Sequence, residues 1–194
     1  MKKHRQKAAF WIIGLMSTCI IGVLLWILIF IIVKGIGVIS WDFLTSMPKE
    51  GMTGGGILPA IVGTLCLCVG SMIFAFPVGV ISGIYLNEYA GNGKIVGFIR
   101  MMTNNLSAIP SIVFGLFGMS LFVNTLGFGD SIIAGSLTLG ILVLPVVIRT
   151  TEEALKQIDD SYRLGSLALG ASKLQTIFKV VLPMAMPIII TGLI

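Results

Sequence analysis

Apolar positions in this 194-residue chain gather into four long runs and the start of a fifth. A helix needs about 20 apolar residues to cross the hydrocarbon layer of a bilayer. The runs near 9–33, 57–86, 101–123 and 132–150 meet that length and predict four complete transmembrane helices. The fifth begins near Pro183 and reaches Ile194, too short to cross, so the sequence is expected to be cut before its last spans. Polar stretches separate the runs. The segment 34–56 carries Asp42, Pro48, Lys49, Glu50 and the glycines Gly51, Gly54, Gly55 and Gly56. A shorter loop near 87–100 holds Asn87, Glu88, Asn92, Gly93, Lys94 and Arg100, and a third near 124–131 ends on Asp130 and Ser131. Within the second run, Pro77 predicts a kink, and Gly79 and Gly83, four residues apart, predict close approach of another helix.

Composition agrees. Hydrophobic residues make up 56% of the chain and charged residues 11%, against about 25% charged in a soluble domain. The fold class is therefore an all-α polytopic transmembrane bundle. The net charge of +5 is read as topology, not as an affinity for nucleic acid, because the basic residues cluster at the ends of apolar runs. With the N-terminus inside, eleven of the thirteen Lys and Arg residues fall on the cytoplasmic side and only Lys34 and Lys49 outside, a strong positive-inside bias. Residues 1–8 form a basic cytoplasmic tail, 9–194 the transmembrane domain, 34–56 an outer loop and 151–183 a cytoplasmic segment. The run from Ala8 to Val33 is too long for a signal-peptide core and no small-x-small cleavage site follows it. Cys19, Cys66 and Cys68 lie inside apolar runs and read as small packing residues. Gly91-Asn92-Gly93 reads as a turn, and His4 carries no assignment. No phosphate-binding loop of the G-x-x-x-x-G-K-[ST] kind occurs. No carboxylate pair, Ser/His or Cys/His set suggests catalysis, so no enzymatic activity, cofactor or metal is expected.

The 151–183 segment is the most informative. One short helix is expected from Thr151 to Ile158 and a second from Ser161 to Leu169, stopped by Gly170. Ser172 stands three residues before Gln175, a capping-box spacing for a third helix. Along it Leu174, Ile177, Phe178, Val181 and Leu182 form an apolar stripe, and Pro183 marks the boundary with the next membrane run. Two short helices joined by Gly170-Ala171-Ser172 suit docking into a groove on another protein. An amphipathic linker resting on lipid fits the same pattern.

Gly170, nine residues, then Val180-Val181-Leu182-Pro183 resembles the later part of the coupling motif of bacterial ABC-importer permeases, written Glu-Ala-Ala, three residues, Gly, nine residues, Ile-x-Leu-Pro. Gly55-Gly56-Ile57, Gly63-Thr64-Leu65, Tyr85-Leu86-Asn87-Glu88-Tyr89-Ala90 and Ile109-Pro110-Ser111-Ile112-Val113-Phe114-Gly115-Leu116 narrow the resemblance to phosphate-specific ABC transporter permeases of the A type. It covers nearly the whole chain after the first span. It implies a type I importer permease in the bacterial cytoplasmic membrane, paired with a C-type permease subunit. Separate ATPase subunits would drive it, and a periplasmic or surface phosphate-binding protein would deliver phosphate. Onto this chain it carries an ATPase-coupling set of Ser161, Arg163, Leu164, Ala168, Gly170, Ala171, Ser172, Leu182 and Pro183.

The chain departs from the motif at Leu164-Gly165-Ser166, where the family has Glu-Ala-Ala. A Glu at 164 would complete a capping box with Ser161, so Leu164 predicts the loss of a cap worth on the order of 1 kcal/mol. An anion path needs positive charge and hydrogen-bond donors. Arg149 and Arg100 are candidates at its inner mouth, with Asn104, Asn105, Ser107 and Ser111 near the Pro110 break. A snorkelling topology anchor is the stronger reading of Arg149, and it also suits a pair with Glu153 one turn on. A permease for another oxyanion such as sulfate or molybdate, and a non-transporting membrane scaffold, are the competing readings.

Overall fold

A computed structural model describes residues 2–91 and 93–193, with side chains described from residue 10 onward except at Met52. Asn92 of the expected turn and the basic side chains of the N-terminal tail lie outside the described residues. The chain divides into two compact units, residues 1–61 and 62–194.

The first unit is built around helix α1, Lys2–Gly35. Its part from Phe10 to Gly35 is strongly apolar, with no polar face, and none of its residues is buried within this unit. A helix of that kind belongs in lipid or against another membrane subunit. The expected outer loop is partly ordered. Ser40 caps a short helix α2, Trp41–Thr45, by accepting from the Phe43 amide. Strands β1, Pro48–Lys49, and β2, Gly54–Gly55, pair antiparallel in the register Pro48↔Gly55. The Ile57 and Leu58 amides donate to the Phe43 and Ser46 carbonyls, so the hairpin closes onto α2 just before the next span.

The second unit is organised around helix α6, Ile132–Lys156. Helix α3, Leu58–Ile84, runs unbroken through Pro77 and continues as a wide, π-type turn over Tyr85–Tyr89. Together they span 32 residues, about 48 Å at 1.5 Å per residue, so they overreach a hydrocarbon layer of about 30 Å. Helices α4, Lys94–Leu106, and α5, Ser111–Gly118 with its wide extension to Thr125, meet at a 97° bend. The third span, expected near 101–123 with an early interruption at Pro110, is thus a bent pair whose first arm already begins at Lys94. Pro110 sets the bend, because it denies its amide to a continuing helix and pushes the residue before it out of helical geometry.

Two further boundaries differ from expectation. Residues 151–156 are the last turns of α6, not a separate helix. The fourth span therefore runs past Arg149, held by the i,i+4 pairs Arg149–Glu153 and Glu152–Lys156. Past helix α7, Asp160–Ala168, helix α8, Lys173–Thr176, passes through a wide turn at Ile177–Val181 straight into α9, Leu182–Leu193. Pro183 sits inside this continuous helix and not at a boundary. The whole of 173–193 is 21 residues long and apolar enough to cross a membrane, so the fifth span starts ten residues earlier than its apolar run.

The core gathers α3, α6 and α9. Ala75, Val80, Ile84, Val147, Leu155, Ile177, Val181, Ala185 and Ile189 are buried together. The expected close approach at Gly79 and Gly83 is present. A Cβ at Gly79 would lie 2.6 Å from Val147 Cγ1, and one at Gly83 2.7 Å from Thr151 Cβ and 2.9 Å from the Ile148 carbonyl. Cys19, Cys66 and Cys68 are free thiols on exposed faces, which corrects their reading as packing residues within this chain.

Gly83→Ala is expected to lower stability in detergent micelles by about 1–3 kcal/mol, the usual cost of overpacking. Gly63→Ala, where a Cβ meets nothing within 4 Å, serves as the control and should show no loss. Denaturant-titrated unfolding of both variants checks the contrast; equal midpoints would remove the close-approach argument.

Candidate coupling knuckle and basic mouth

Helix α7 is capped by Asp159, whose carboxylate accepts from the Ser161 amide at 2.8 Å. Hydrogen bonds from Ser161 hold the Asp159 carboxyl below the usual carboxylate range, so the cap stays ionised at neutral pH. Ser161 thus lies inside the first turn and is not the cap. The expected loss of a cap through Leu164 is corrected: residue 164 has no capping position to fill, and Leu164 points outward, 67% exposed.

The end of α7 is a Schellman motif. The Ala171 amide donates to Ser166 O at 3.2 Å and the Gly170 amide to Leu167 O at 2.9 Å. This closure needs a left-handed residue, and Gly170 supplies it with φ +85°. Ser172 then begins α8 with the expected capping box: its hydroxyl accepts from the Gln175 amide at 3.3 Å, and Gln175 Oε1 accepts from the Ser172 amide at 2.9 Å. The knuckle presents an apolar outer surface. Leu169 at its tip is 90% exposed, and Leu164, Leu167, Leu174 and Phe178 are exposed beside it. The expected stripe on the third helix therefore splits, with Ile177 and Val181 buried in the core, Leu182 partly buried against it, and Leu174 and Phe178 facing out. Ala168 and Pro183 are exposed and Ala171 is half-buried.

Arg163 points the other way. Its guanidinium is inward and its side chain 16% exposed, against a Glu88 side chain 9% exposed. Nε and one terminal nitrogen donate to Glu88 Oε1 at 3.2 and 2.8 Å. The remaining donors reach Leu155 O at 2.9 Å, Ile158 O at 2.7 Å and Asp160 Oδ1 at 3.0 Å. Asn87 donates to the same Glu88 oxygen at 2.9 Å. Lys173 donates to the Glu88 carbonyl and lies 4.5 Å above the Tyr89 ring. Ser166 and Thr176 hydroxyls meet at 2.9 Å, tying α7 to α8. Glu88 stood in the sequence as part of a family-like stretch and nothing more. Its one local signal was an acid among the polar residues that end the second apolar run.

A second polar cluster lies alongside. Arg100, Thr103, Asn104, Arg149, Glu152, Glu153 and Lys156 border a cavity of about 160 Å³ with Leu86 and Ile148. Glu152 Oε1 stands 2.9 Å from Arg100 Nε and 2.7 Å from Lys156 Nζ. Arg100 also donates to Leu86 O at 2.9 Å. Arg149 pairs with Glu153 at 2.8 Å. The structure thus brings Arg100, Asn104 and Arg149 to one mouth. It does not bring Asn105, Ser107 or Ser111 there: all three are exposed, and Ser107 donates to its own helix at Thr103 O.

Comparison with known proteins places this geometry. A family model described as binding-protein-dependent transport system inner membrane component matches residues 75–194. The probable ABC transporter permease protein YqgI of Bacillus subtilis is 37% identical over 98% of this chain. The phosphate transport system permease protein PstA of Mycobacterium leprae is 40% identical over 87% of it, and PstA 1 of Mycobacterium tuberculosis is 41% identical over 72%. The chain spans 65%, 57% and 45% of the lengths of these three relatives. Among solved structures, the inward-facing MetNI methionine ABC transporter superposes with a TM-score of 0.57 at 23% identity, over 71% of this chain and 64% of that one. At that identity the likeness concerns the fold alone.

Asp159→Ala is expected to speed amide exchange in the first turn of α7 about 5- to 30-fold, the equivalent of the 1–2 kcal/mol that a cap contributes. Leu164→Glu should leave those amides unchanged. Hydrogen–deuterium exchange resolved over 160–166 checks both; protection gained in Leu164→Glu would restore Ser161 as the cap.

Proposed function

Because the chain belongs to the binding-protein-dependent transport system inner membrane component family, we propose that it is the membrane permease subunit of an ATP-driven phosphate importer. The observation that carries the substrate is identity of about two in five residues to phosphate transport system permeases, over 87% of the chain for one of them. The chain is a multi-pass membrane protein; its described residues include four helices long and apolar enough to cross a membrane and one bent pair. In this reading it sits in the bacterial cytoplasmic membrane with its N-terminus and the α7–α8 knuckle on the cytoplasmic side, as its Lys and Arg distribution favours.

The knuckle is the docking element for a separate ATPase subunit. Its exposed leucines around Gly170 form an apolar projection of the kind that fills a groove. The spans pair with a second, C-type permease subunit, and a phosphate-binding protein delivers the anion to the outer face around the 34–56 hairpin. The mouth bordered by Arg100, Asn104 and Arg149 is the inner part of the path. It holds three cations and two carboxylates, a modest excess of positive charge. Such a balance attracts an oxyanion without trapping it, as passage requires. The permease itself carries no chemical step: it converts movement of the knuckle into opening and closing of the path.

The test is uptake of labelled phosphate by the full-length protein reconstituted with its partner subunits. Uptake is expected to need ATP and to persist in a large excess of sulfate. Block by sulfate would reassign the substrate to another oxyanion. Absence of any ATPase co-purifying with the protein would favour the scaffold reading.

A further inference from the structure

Helix α7 has no buried residue. Apolar packing therefore does not set its position, although in this reading it stands where force enters the permease. The links that do hold it are polar. One is the Ser166–Thr176 hydroxyl contact to α8. The other is Arg163, whose five N–H donors meet five acceptor contacts, the full capacity of a guanidinium.

These contacts come from three places. Leu155 O lies in the last turn of α6, where it also accepts from the Ile158 amide at 3.3 Å, and Ile158 O lies in the linker after it; at such a helix end the dipole favours a cation. Asp160 belongs to the first turn of α7. Glu88 belongs to the wide turn that ends the second span, 75 residues away in sequence. Glu88 works twice, because its carboxylate holds α7 through Arg163 and its carbonyl holds α8 through Lys173. With every donor used and the group turned inward, Arg163 has nothing left to offer a partner subunit.

We propose that Arg163 is a positioning residue that binds the α7–α8 knuckle and the adjoining ends of α3 and α6 into one rigid body, so that a push on the knuckle moves both spans together. Without it, α7 would pivot between the 157–159 linker and Gly170, and displacement would be absorbed there. Lysine is no substitute: its ammonium is a point charge with three donors and cannot reach acceptors spread around a planar fork. This rests on the permease reading above, but its central measurement does not depend on what is transported.

The experiment uses the full-length protein assembled with its partner subunits in lipid nanodiscs, with Cys19, Cys66, Cys68 and any other native cysteine replaced by serine. Spin labels are placed at Tyr85→Cys and Tyr162→Cys, both exposed positions. In the parent, the label separation is expected to stay narrow and unchanged between nucleotide-free and ATP-bound states. In Arg163→Lys, which keeps a positive charge beside Glu88, the distribution should broaden while the subunits still co-purify. Phosphate uptake per ATP hydrolysed should fall about tenfold or more, within the range of energetic coupling between distant sites, with hydrolysis maintained. Glu88→Gln should shift both readouts in the same direction. A separation that changes between states in the parent would overturn the proposal. So would a narrow distribution in Arg163→Lys, or a proportional fall of uptake and hydrolysis. A parent that hydrolyses ATP but takes up no phosphate would overturn the substrate reading, and the label distances would still decide the rigid body.

Discussion

A main-chain carbonyl at the end of a membrane helix has no helical partner, and in or near hydrocarbon it finds little water. Much of the polar architecture on one side of this protein answers that constraint. Arg100 donates to Leu86 O, Lys173 to Glu88 O, and Arg163 to Ile158 O and, alongside the Ile158 amide, to Leu155 O. Each cation sits where helix dipoles end in negative charge, so satisfying the backbone and placing the positive charges are one arrangement. The carboxylates follow. Glu88 and Glu152 are nearly buried, and each is held by two or more donors or cations. Removal of one partner from such a group leaves a charge without compensation, which is costlier than the pair is worth.

Within the spans the rule is different, because lipid gives no hydrophobic force between helices and close packing must do the work. The contact of α3 with α6 is built from small residues. Gly70 faces Ser136, Gly79 faces Val147, and Gly83 faces Thr151, while Gly135 and Gly140 of α6 face Leu67 and Phe74 of α3. The Ser136 and Thr151 hydroxyls are buried without a hydrogen-bond partner. Their size, not their polarity, is what the contact uses. A tight, nearly featureless seam of this kind is well suited to keep α3 and α6 together when the ends of both are clamped by one side chain.

The spans, the Gly79/Gly83 approach, the Gly170 stop and the Ser172–Gln175 box were legible because each is a local pattern, set by periodicity or by capping chemistry over a few residues. The boundaries that moved lie where tertiary or side-chain effects overrode local cues. Arg149 looks like a membrane edge, yet its pair with Glu153 carries α6 onward. Pro183 looks like a break, yet the wide turn at 177–181 precedes it and eases the clash that a proline ring makes with the carbonyl four residues back. Asp159 was overlooked as a cap because Ser161 also fits the capping pattern. The Glu88–Arg163 pair was out of reach for a different reason: no spacing rule links positions 75 residues apart, and only the meeting of α3 with α7 joins them.

The same geometry gives the departure from the family motif a physical meaning. Had residue 164 faced the core, a leucine in place of the motif's glutamate would have changed the stability of α7 itself. It faces outward instead, on the surface that also carries Leu167 and Leu169, while Arg163 beside it turns inward and spends all its donors within the chain. The substitution therefore alters the exposed face of α7 and leaves the internal clamp alone. On the docking proposed above, the partner's groove must meet an apolar residue at this point. A groove lined with cations suited to a glutamate would bury unpaired charge against Leu164, at a cost that an ion pair would otherwise offset. On that proposal, holding the knuckle to the spans and fitting it to a partner fall to adjacent residues of α7 on opposite faces.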